Sequence, residues 1–226
     1  MPIDAVIFDL YGTVVDEFPK SAFHEALTAM ADILGAEREA FLDEWSATAI
    51  ERQTGRMGDI DENLRVICSR LGLRPGPKAS SDALEVRAEM YRQHFRPKDQ
   101  AEASLAALKV RGLPMGLISM CAPDTPALWR ASVLAPYIDV EVFSCETGLR
   151  KPDAEIYRYA TERLGVSSDG TLYVGDGAYS ELTGATAFGM TAVLIRDPND
   201  HDALRPEAED WSGASIVSLT EVLSLV

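Results

Sequence analysis

Carboxylates follow two of the short apolar runs in this chain, at 5–8 and 171–174. Each run is long enough for one short buried strand and ends at a glycine-containing turn, so Asp9 and Asp176 are expected where their strands end. If both strands belong to one parallel sheet, both carboxylates lie at the same edge, where the strands have their carboxyl ends; we call this edge the mouth of the sheet. They repel each other there unless one takes a proton or a cation lies between them. A hard, oxygen-seeking ion such as Mg²⁺ would meet that need.

Hydroxyl and basic side chains occupy similar places. Ser119 ends a third apolar run, and the basic pair Arg150-Lys151 precedes a proline and an aspartate that can begin a helix. Taken singly, each of these residues has an ordinary explanation as a turn or capping residue. Their order and their shared location at predicted strand ends favour a single reaction site.

The apolar runs that position these side chains alternate with helical patterns. Strands are predicted at 5–8, 115–119, 140–144, 171–174 and 191–195, with a weaker one at 214–217. Helices are predicted at 100–110, 126–134, 154–164 and 180–188. This alternation predicts the α/β class, a Rossmann-like parallel sheet with helices on both faces. Chemistry in such sheets collects at the carboxyl ends of strands, where strand order reverses.

The segment after the first strand has a different character. Residues 16–96 contain no convincing strand, but they carry amphipathic helical stretches at 20–34, 37–53, 60–71 and 82–95. We predict a hydrolase core formed by 1–15 and 97–226, and a helical cap formed by 16–96 over its active face. The alternative is that these helices pack elsewhere on the core.

The composition indicates a soluble globular protein with an acidic surface. The 226 residues include 36 acidic and 21 basic ones, for a net charge of −15, so we expect neither nucleic acid nor a membrane as a partner. No secretory signal or membrane span is apparent, and the three cysteines lack zinc-site or disulfide spacing. We therefore expect a cytoplasmic protein, either a monomer or a homodimer; its partner, a small anionic molecule, is inferred from the motifs and not from the composition.

Four short motifs occur in a definite order: FDLYGT (8–13), LIS (117–119), RKPDAEIY (150–157) and YVGDGAYSEL (173–182). With a helical segment inserted after the first motif, the whole chain resembles the haloacid dehalogenase superfamily with a C1-type cap. The resemblance implies that Asp9 is a nucleophile forming a covalent aspartyl intermediate, which water then hydrolyses. It also implies that Thr13 and Ser119 donate hydrogen bonds to the transferring group and that Lys151 keeps Asp9 ionised.

The candidate site residues fall into three groups. The catalytic candidates are Asp9, Tyr11, Thr13, Ser119 and Lys151. The candidates for substrate binding are Gly12, Met120, Tyr157 and the cap residue Arg52, with Arg56 as a second cap arginine. The candidates for binding Mg²⁺ are Asp9, Tyr11, Asp176 and Glu181, although Ser180 competes with Glu181 for the second acidic position.

Position 11 departs from the pattern of the phosphatases that the chain resembles. They normally carry an aspartate two residues after the nucleophile, which protonates the leaving alcohol and then deprotonates the attacking water. Tyr11 can donate a proton at neutral pH, but a phenol is a poor base. The 2-haloacid dehalogenases of the superfamily carry the same Asp-x-Tyr-Gly-Thr motif, and a halide leaves without a proton. Against a dehalogenase, Met120 replaces their asparagine and Asp176 is an acid that they lack.

Three functions therefore stay open. We favour a Mg²⁺-dependent phosphatase that acts on a small phosphorylated metabolite through Asp9. The first alternative is a metal-independent 2-haloacid dehalogenase. The second is a catalytically idle binding or regulatory protein on the same fold, for which Tyr11 and Met120 are the motivating departures.

Overall fold

The centre of the molecule is a six-stranded sheet. The computed structural model describes residues 3–196 and 202–226. The strands are β1 (Ala5–Phe8), β2 (Met115–Ser119), β3 (Val140–Phe143), β4 (Thr171–Gly175), β5 (Thr191–Ile195) and β6 (Ser215–Ile216). They lie in the order β3-β2-β1-β4-β5-β6, and every neighbouring pair is parallel. The predicted α/β fold with a parallel sheet is confirmed.

Strand order reverses at β1. In the register of the sheet, Phe8 pairs with Leu117 of β2 on one side and with Val174 of β4 on the other. The loops that follow these three strands therefore leave the sheet at one edge. A crevice outside the carboxyl ends at such a reversal is the usual ligand site of open parallel sheets.

The helices largely follow the predicted pattern. They are α1 (Lys20–Leu34), α2 (Arg38–Ala47), α3 (Ala49–Gln53), α4 (Ile60–Arg70), α5 (Pro77–His94), α6 (Ala101–Val110), α7 (Thr125–Arg130), α8 (Ser144–Thr147), α9 (Ala154–Leu164) and α10 (Glu181–Phe188). The stretch predicted at 37–53 is interrupted at Thr48, whose hydroxyl donates to the Glu44 carbonyl at 2.8 Å. Helix α5 begins at Pro77 rather than at 82, because proline is well tolerated at the first helical position.

Both faces of the sheet are covered by helices, which explains why β1 is apolar throughout. Phe8 packs in one cluster with Leu105 of α6. Ile7 points to the other face, where it packs with Ile156 of α9 and Leu182 of α10. All four β1 side chains are fully buried, so the strand that carries Asp9 is a rigid support for it.

Helices α1 to α5 lie between β1 and β2 and have an apolar core of their own. Its buried members include Leu27, Met30, Phe41, Trp45 and Ile67. The two connections to the sheet run side by side. The Lys98 N–H donates to the Val14 carbonyl at 3.0 Å, and the Asp16 N–H donates to the Arg96 carbonyl at 2.8 Å. The division into core and cap at these connections stays a prediction, and we keep both names.

Two further sequence expectations concern the membrane and the cysteines. Within 3–196 and 202–226, no helix combines the length and apolarity needed to cross a bilayer. Cys68, Cys121 and Cys145 are free thiols. The sulfur atoms of Cys121 and Cys145 lie 3.8 Å apart, a proximity that their spacing in the sequence did not reveal.

Candidate active site

Asp9 lies where the strand order reverses. Its backbone N–H donates to the Val174 carbonyl at 2.8 Å, so the end of β4 fixes the backbone from which the Asp9 side chain extends. Gly12, three residues further, has φ of +77°, and a Cβ at this position would lie 2.6 Å from Asp176 Oδ2. Glycine is required there both by its backbone conformation and by this close approach. The turn after β1 thus presses against the second aspartate, and the two carboxylates share one mouth.

Lys151 bridges two carboxylates inside this mouth. Its Nζ lies 2.5 Å from Asp9 Oδ1 and 2.5 Å from Glu181 Oε2. Glu181 also accepts hydrogen bonds from the Tyr173 hydroxyl at 2.7 Å and from the Gly177 N–H at 3.0 Å. An ammonium group in this position compensates the negative charge of Asp9 and fixes one of its oxygens. Glu181, which the sequence left in competition with Ser180, is therefore the second acidic side chain beside Lys151.

A second cation, Arg205, lies against Asp176. Its Nε is 2.8 Å from Asp176 Oδ2, and its Nη2 is 2.6 Å from Glu17 Oε1. Sequence reasoning missed Arg205, because it follows β5 and belongs to none of the motifs. The only signal was that β5 is expected beside β4, so that a basic residue after β5 could reach the mouth of the sheet.

The buried carboxylates at this mouth disfavour one another's charge. Burial, followed by the charge of Asp9, raises the pKa of Glu181 to about 8 and that of Asp176 to about 6. Burial alone would lower the pKa of Lys151, but Asp9 and Glu181 raise it above its ordinary value. Among the described residues, three carboxylates thus meet two cations, Lys151 and Arg205. The mouth thus holds one more carboxyl group than it has cations, and the raised pKa values of Glu181 and Asp176 express the cost of ionising all three groups.

Tyr11 and Thr13, the two other catalytic candidates from the first motif, form hydrogen bonds to side chains of the protein. The Tyr11 hydroxyl lies 2.9 Å from Thr125 Oγ1, and burial, then the nearby Tyr91, raises its pKa well above 10. Tyr11 therefore stays protonated at neutral pH and can offer a cation only its backbone carbonyl. The Thr13 hydroxyl is fully buried and donates to Asp9 Oδ2 at 3.3 Å. Thr13 is thus placed to orient the carboxylate of Asp9, and it is absent from the lining of the adjacent cavity.

A cavity of about 460 Å³ lies between Asp9 and the cap. The core residues that form its floor are mostly polar and include Asp9, Asp176, Ser119 and Arg205, together with the apolar Met120. Its apolar and aromatic wall is supplied mainly by the cap and includes Phe18, Phe23, Leu27, Leu42, Trp45 and Tyr91. Pockets of this size and composition are typical of sites for small molecules.

The structure separates the two cap arginines. Arg52 is 4% exposed and lines the cavity, whereas Arg56 is exposed and lies outside its lining. Next to Arg52, the Gln53 amide donates to the Tyr179 hydroxyl at 2.7 Å and so connects cap and core. Tyr179 has φ of +54°, a strained conformation for a tyrosine. Both residues line the cavity, although Gln53 belongs to no motif and Tyr179, inside the motif at 173–182, was not among the candidates.

Two of the residues expected to contact substrate lie elsewhere. Tyr157 is fully buried, and its hydroxyl donates to the Glu181 carbonyl at 2.8 Å. It therefore supports the acid that holds Lys151, and we no longer place it against the substrate. Gly12 is likewise absent from the cavity lining and acts through its contact with Asp176. Met120 does line the cavity, and its sulfur accepts a hydrogen bond from the Lys151 N–H at 3.4 Å.

The donor set at this mouth fits a hard divalent cation. Carboxylate oxygens of Asp9, Asp176 and Glu181 lie within 4.8 Å of one another, and all three residues are buried. Asp9 and Asp176 also line the cavity, whereas Glu181 is occupied by Lys151, Tyr173 and Gly177. Asp9 and Asp176 are thus the residues that would hold Mg²⁺, and a contribution from Tyr11 stays a prediction.

The fold and the cluster of charged side chains define an α/β protein whose candidate active site lies at the switch point of a parallel sheet. Residues 3–189 match the haloacid dehalogenase-like hydrolases, and the chain belongs to this family. The resemblance seen in the motifs is thereby confirmed.

The relatives divide between two reactions. The chain is 25% identical to a glyceraldehyde 3-phosphate phosphatase of Methanocaldococcus jannaschii, over 99% of this chain and 97% of that protein. It is also 25% identical to an (S)-2-haloacid dehalogenase of Pseudomonas putida, over 87% of this chain and 86% of the relative. The crystal structure of a 2-haloacid dehalogenase from Pseudomonas syringae pv. Tomato DC3000 has a similar fold, with a TM-score of 0.72 at 22% identity, covering 99% of this chain and 97% of that one. Overall similarity therefore leaves the reaction open.

Proposed function

We propose that this protein is a phosphatase that hydrolyses a small phosphomonoester with Mg²⁺ and Asp9 as the nucleophile. The observation that carries the proposal is the buried Asp176 carboxylate beside Asp9, with a pKa raised by burial and by that neighbour. Phosphoryl transfer calls for a cation at this position, because the substrate brings further negative charge. When bound between Asp9 and Asp176, Mg²⁺ would offset the charge of the carboxylates and of the substrate phosphate.

The first step is attack of an Asp9 carboxylate oxygen on phosphorus. The new oxygen–phosphorus bond forms as the bond to the leaving oxygen breaks, which yields an aspartyl phosphate and the released alcohol or alkoxide. Lys151, 2.5 Å from Asp9, compensates the charge of the nucleophile and is in turn held by Glu181. Ser119, on the cavity floor, is placed to donate to the phosphoryl oxygens.

The second step is attack of water on the phosphorus of the aspartyl phosphate. It releases inorganic phosphate and restores the Asp9 carboxylate. Tyr11 is a poor proton donor to the leaving oxygen, because its pKa is raised well above 10, and in its neutral form it cannot take a proton from water. This arrangement favours substrates whose leaving group departs without a proton, such as aryl and acyl phosphates.

A metal-independent 2-haloacid dehalogenase is the second candidate. Two observations favour it: Tyr11 stands in place of a general acid, and Arg205 already supplies a cation 2.8 Å from Asp176. In that reaction Asp9 attacks the carbon that bears the halogen, halide leaves with the bonding electrons, and water hydrolyses the resulting ester. An idle member of the fold receives no support from the site, because Lys151 is already bonded to Asp9 and Glu181.

The two candidate reactions differ in product and in their need for metal. Phosphate release from para-nitrophenyl phosphate and chloride release from 2-chloropropionate are measured for the wild type and for Asp9→Asn, with Mg²⁺ and with EDTA. We expect phosphate release that EDTA abolishes, that Mg²⁺ restores and that Asp9→Asn lacks. Chloride release that persists in EDTA would establish the dehalogenase instead, and absence of both products would favour the idle protein.

A further inference from the structure

The cap carries two arginines against one tryptophan on the cavity wall. The guanidinium carbons of Arg52 and Arg87 lie 4.4 Å and 4.9 Å from the centroid of the Trp45 ring. All three residues line the cavity that contains Asp9, and Arg52 and Arg87 are 4% and 1% exposed. Guanidinium groups are seldom buried this deeply unless their charge is compensated.

The compensation within the described residues is incomplete. Arg87 forms an ion pair with Asp124, with 2.9 Å between Nη2 and Oδ2. Arg52 has no carboxylate partner there; its Nη2 donates to the Trp45 carbonyl and its Nε donates to Thr48 Oγ1. Burial, and then the charge of Arg87, lowers the pKa of Arg52 to about 10. The two guanidinium groups thus have one carboxylate partner between them, and the charge of Arg52, which lines the cavity, is not paired among the described residues.

Hydrogen-bond donors are left over as well. Arg87 Nη1 is buried and has no acceptor among the described residues. Arg52 Nη1 makes no hydrogen bond to them either, because the bonds of this side chain run through Nε and Nη2. Unused donors of a buried charged group are costly, and an anion that accepts from them would recover that cost.

We propose that Arg52, assisted by Arg87, forms a subsite for a carboxylate on the part of the substrate remote from the reacting bond. The single uncompensated charge matches a monoanion such as a carboxylate better than it matches a second phosphate. The apolar side chains that line the same cavity as Arg52 and Asp9, among them Phe23, Leu27 and Trp45, fit a hydrophobic or aromatic body. The inference rests on the proposed function, since it makes the substrate a phosphomonoester with an apolar middle and a carboxylate at its far end.

A pair of aryl phosphates tests the charge requirement directly. 4-Carboxyphenyl phosphate and 4-carbamoylphenyl phosphate have nearly the same shape, but only the first carries a remote negative charge. We expect Arg52→Gln to lower kcat/KM for the carboxylate by about 10- to 100-fold, the range of one charge-assisted hydrogen bond. For the amide the same variant should change kcat/KM less than about threefold, which is the scale of an uncharged contact.

Two control variants accompany this comparison. Arg56→Gln removes an exposed charge from the same part of the cap and should leave both substrates unaffected. Arg52→Lys keeps the charge and should retain part of the preference for the carboxylate, and it replaces Arg52→Gln if that variant does not fold. Equal losses on both substrates, or no loss on either, would overturn the carboxylate subsite.

Ligand binding separates the subsite from the reaction. Benzoate and benzamide are titrated into the wild type and Arg52→Gln, with thermal unfolding as the readout. Benzoate should raise the Tm of the wild type and lose this effect in the variant, while benzamide should have little effect on either. If the wild type hydrolyses neither aryl phosphate but binds benzoate through Arg52, the phosphatase proposal fails and the subsite stands. If the wild type does not bind benzoate, the subsite is refuted.

Discussion

At the scale of single residues, Tyr11 decides what kind of leaving group the site can serve. Its phenol is held by Thr125 at 2.9 Å, and burial keeps it protonated. The position two residues after Asp9 therefore lacks a group that can give a proton in one step and accept one in the next. Chemistry that needs no proton at the leaving group suffers least from this arrangement.

Replacing Tyr11 by aspartate should restore that missing function. We expect Tyr11→Asp to raise kcat/KM for an alkyl phosphate by about tenfold or more, because general acid–base catalysis contributes 10²- to 10⁴-fold. Para-nitrophenyl phosphate, whose leaving group needs no proton, should change little. Steady-state rates on the two substrates, with Tyr11→Phe as the matched control, measure the difference. An equal effect of Tyr11→Asp on both substrates would show that position 11 does not govern leaving-group protonation.

At the scale of elements, the turn after β1 brings the catalytic groups together. Gly12 has a positive φ, and its missing side chain leaves room for Asp176. The loop after β1 and the loop after β4 are thus in contact, although Gly12 and Asp176 lie far apart in the sequence. The close approach is a property of the sheet reversal, since β1 and β4 are parallel neighbours.

Gly12→Ala should therefore affect activity more than stability. The added Cβ would meet Asp176 Oδ2 at 2.6 Å, so the Asp176 side chain must shift from its present place in the site. Gly35→Ala is a matched control, because Gly35 also has a positive φ, of +68°, but nothing lies within 4 Å of its Cβ position. Both variants should lose about 1–2 kcal/mol of unfolding free energy through the left-handed backbone.

Only Gly12→Ala should lose phosphatase activity, by more than about tenfold, a loss that corresponds to about 1.4 kcal/mol in the barrier. Denaturant unfolding and para-nitrophenyl phosphate hydrolysis report the two quantities. Equal activity in the two variants would mean that the contact between Gly12 and Asp176 does not position the site.

At the scale of the whole molecule, the parts predicted well are those encoded locally. The run that forms β1 is apolar and bounded by a turn, and the parallel topology then carries Asp9 and Asp176 to one edge without further information. The direction of Arg205 and the pairing of Arg87 with Asp124 depend on contacts between distant segments. Local sequence patterns do not encode such contacts, so these pairings could be found only in the folded chain.

The same excess of buried carboxylate predicts how the folded protein responds to metal. Mg²⁺ should raise the Tm of the wild type, because it binds the assembled Asp9 and Asp176 and not the unfolded chain. At a concentration of about 100 times Kd the gain is about 2.7 kcal/mol. Differential scanning calorimetry should show the shift in the wild type and in Asp43→Asn, an exposed control. The shift should be absent in Asp176→Asn, and its persistence there would place the cation elsewhere.

The account depends most on the covalent loading of Asp9 by phosphorus. Enzyme mixed with para-nitrophenyl phosphate and Mg²⁺ is quenched in acid within one turnover, and its peptides are analysed by mass spectrometry. We predict a phosphoryl group on the peptide that contains Asp9 and, in water enriched in heavy oxygen, heavy oxygen in the released phosphate and none in the Asp9 carboxylate. An unmodified Asp9 peptide, together with heavy oxygen entering that carboxylate during turnover of 2-chloropropionate, would contradict the account.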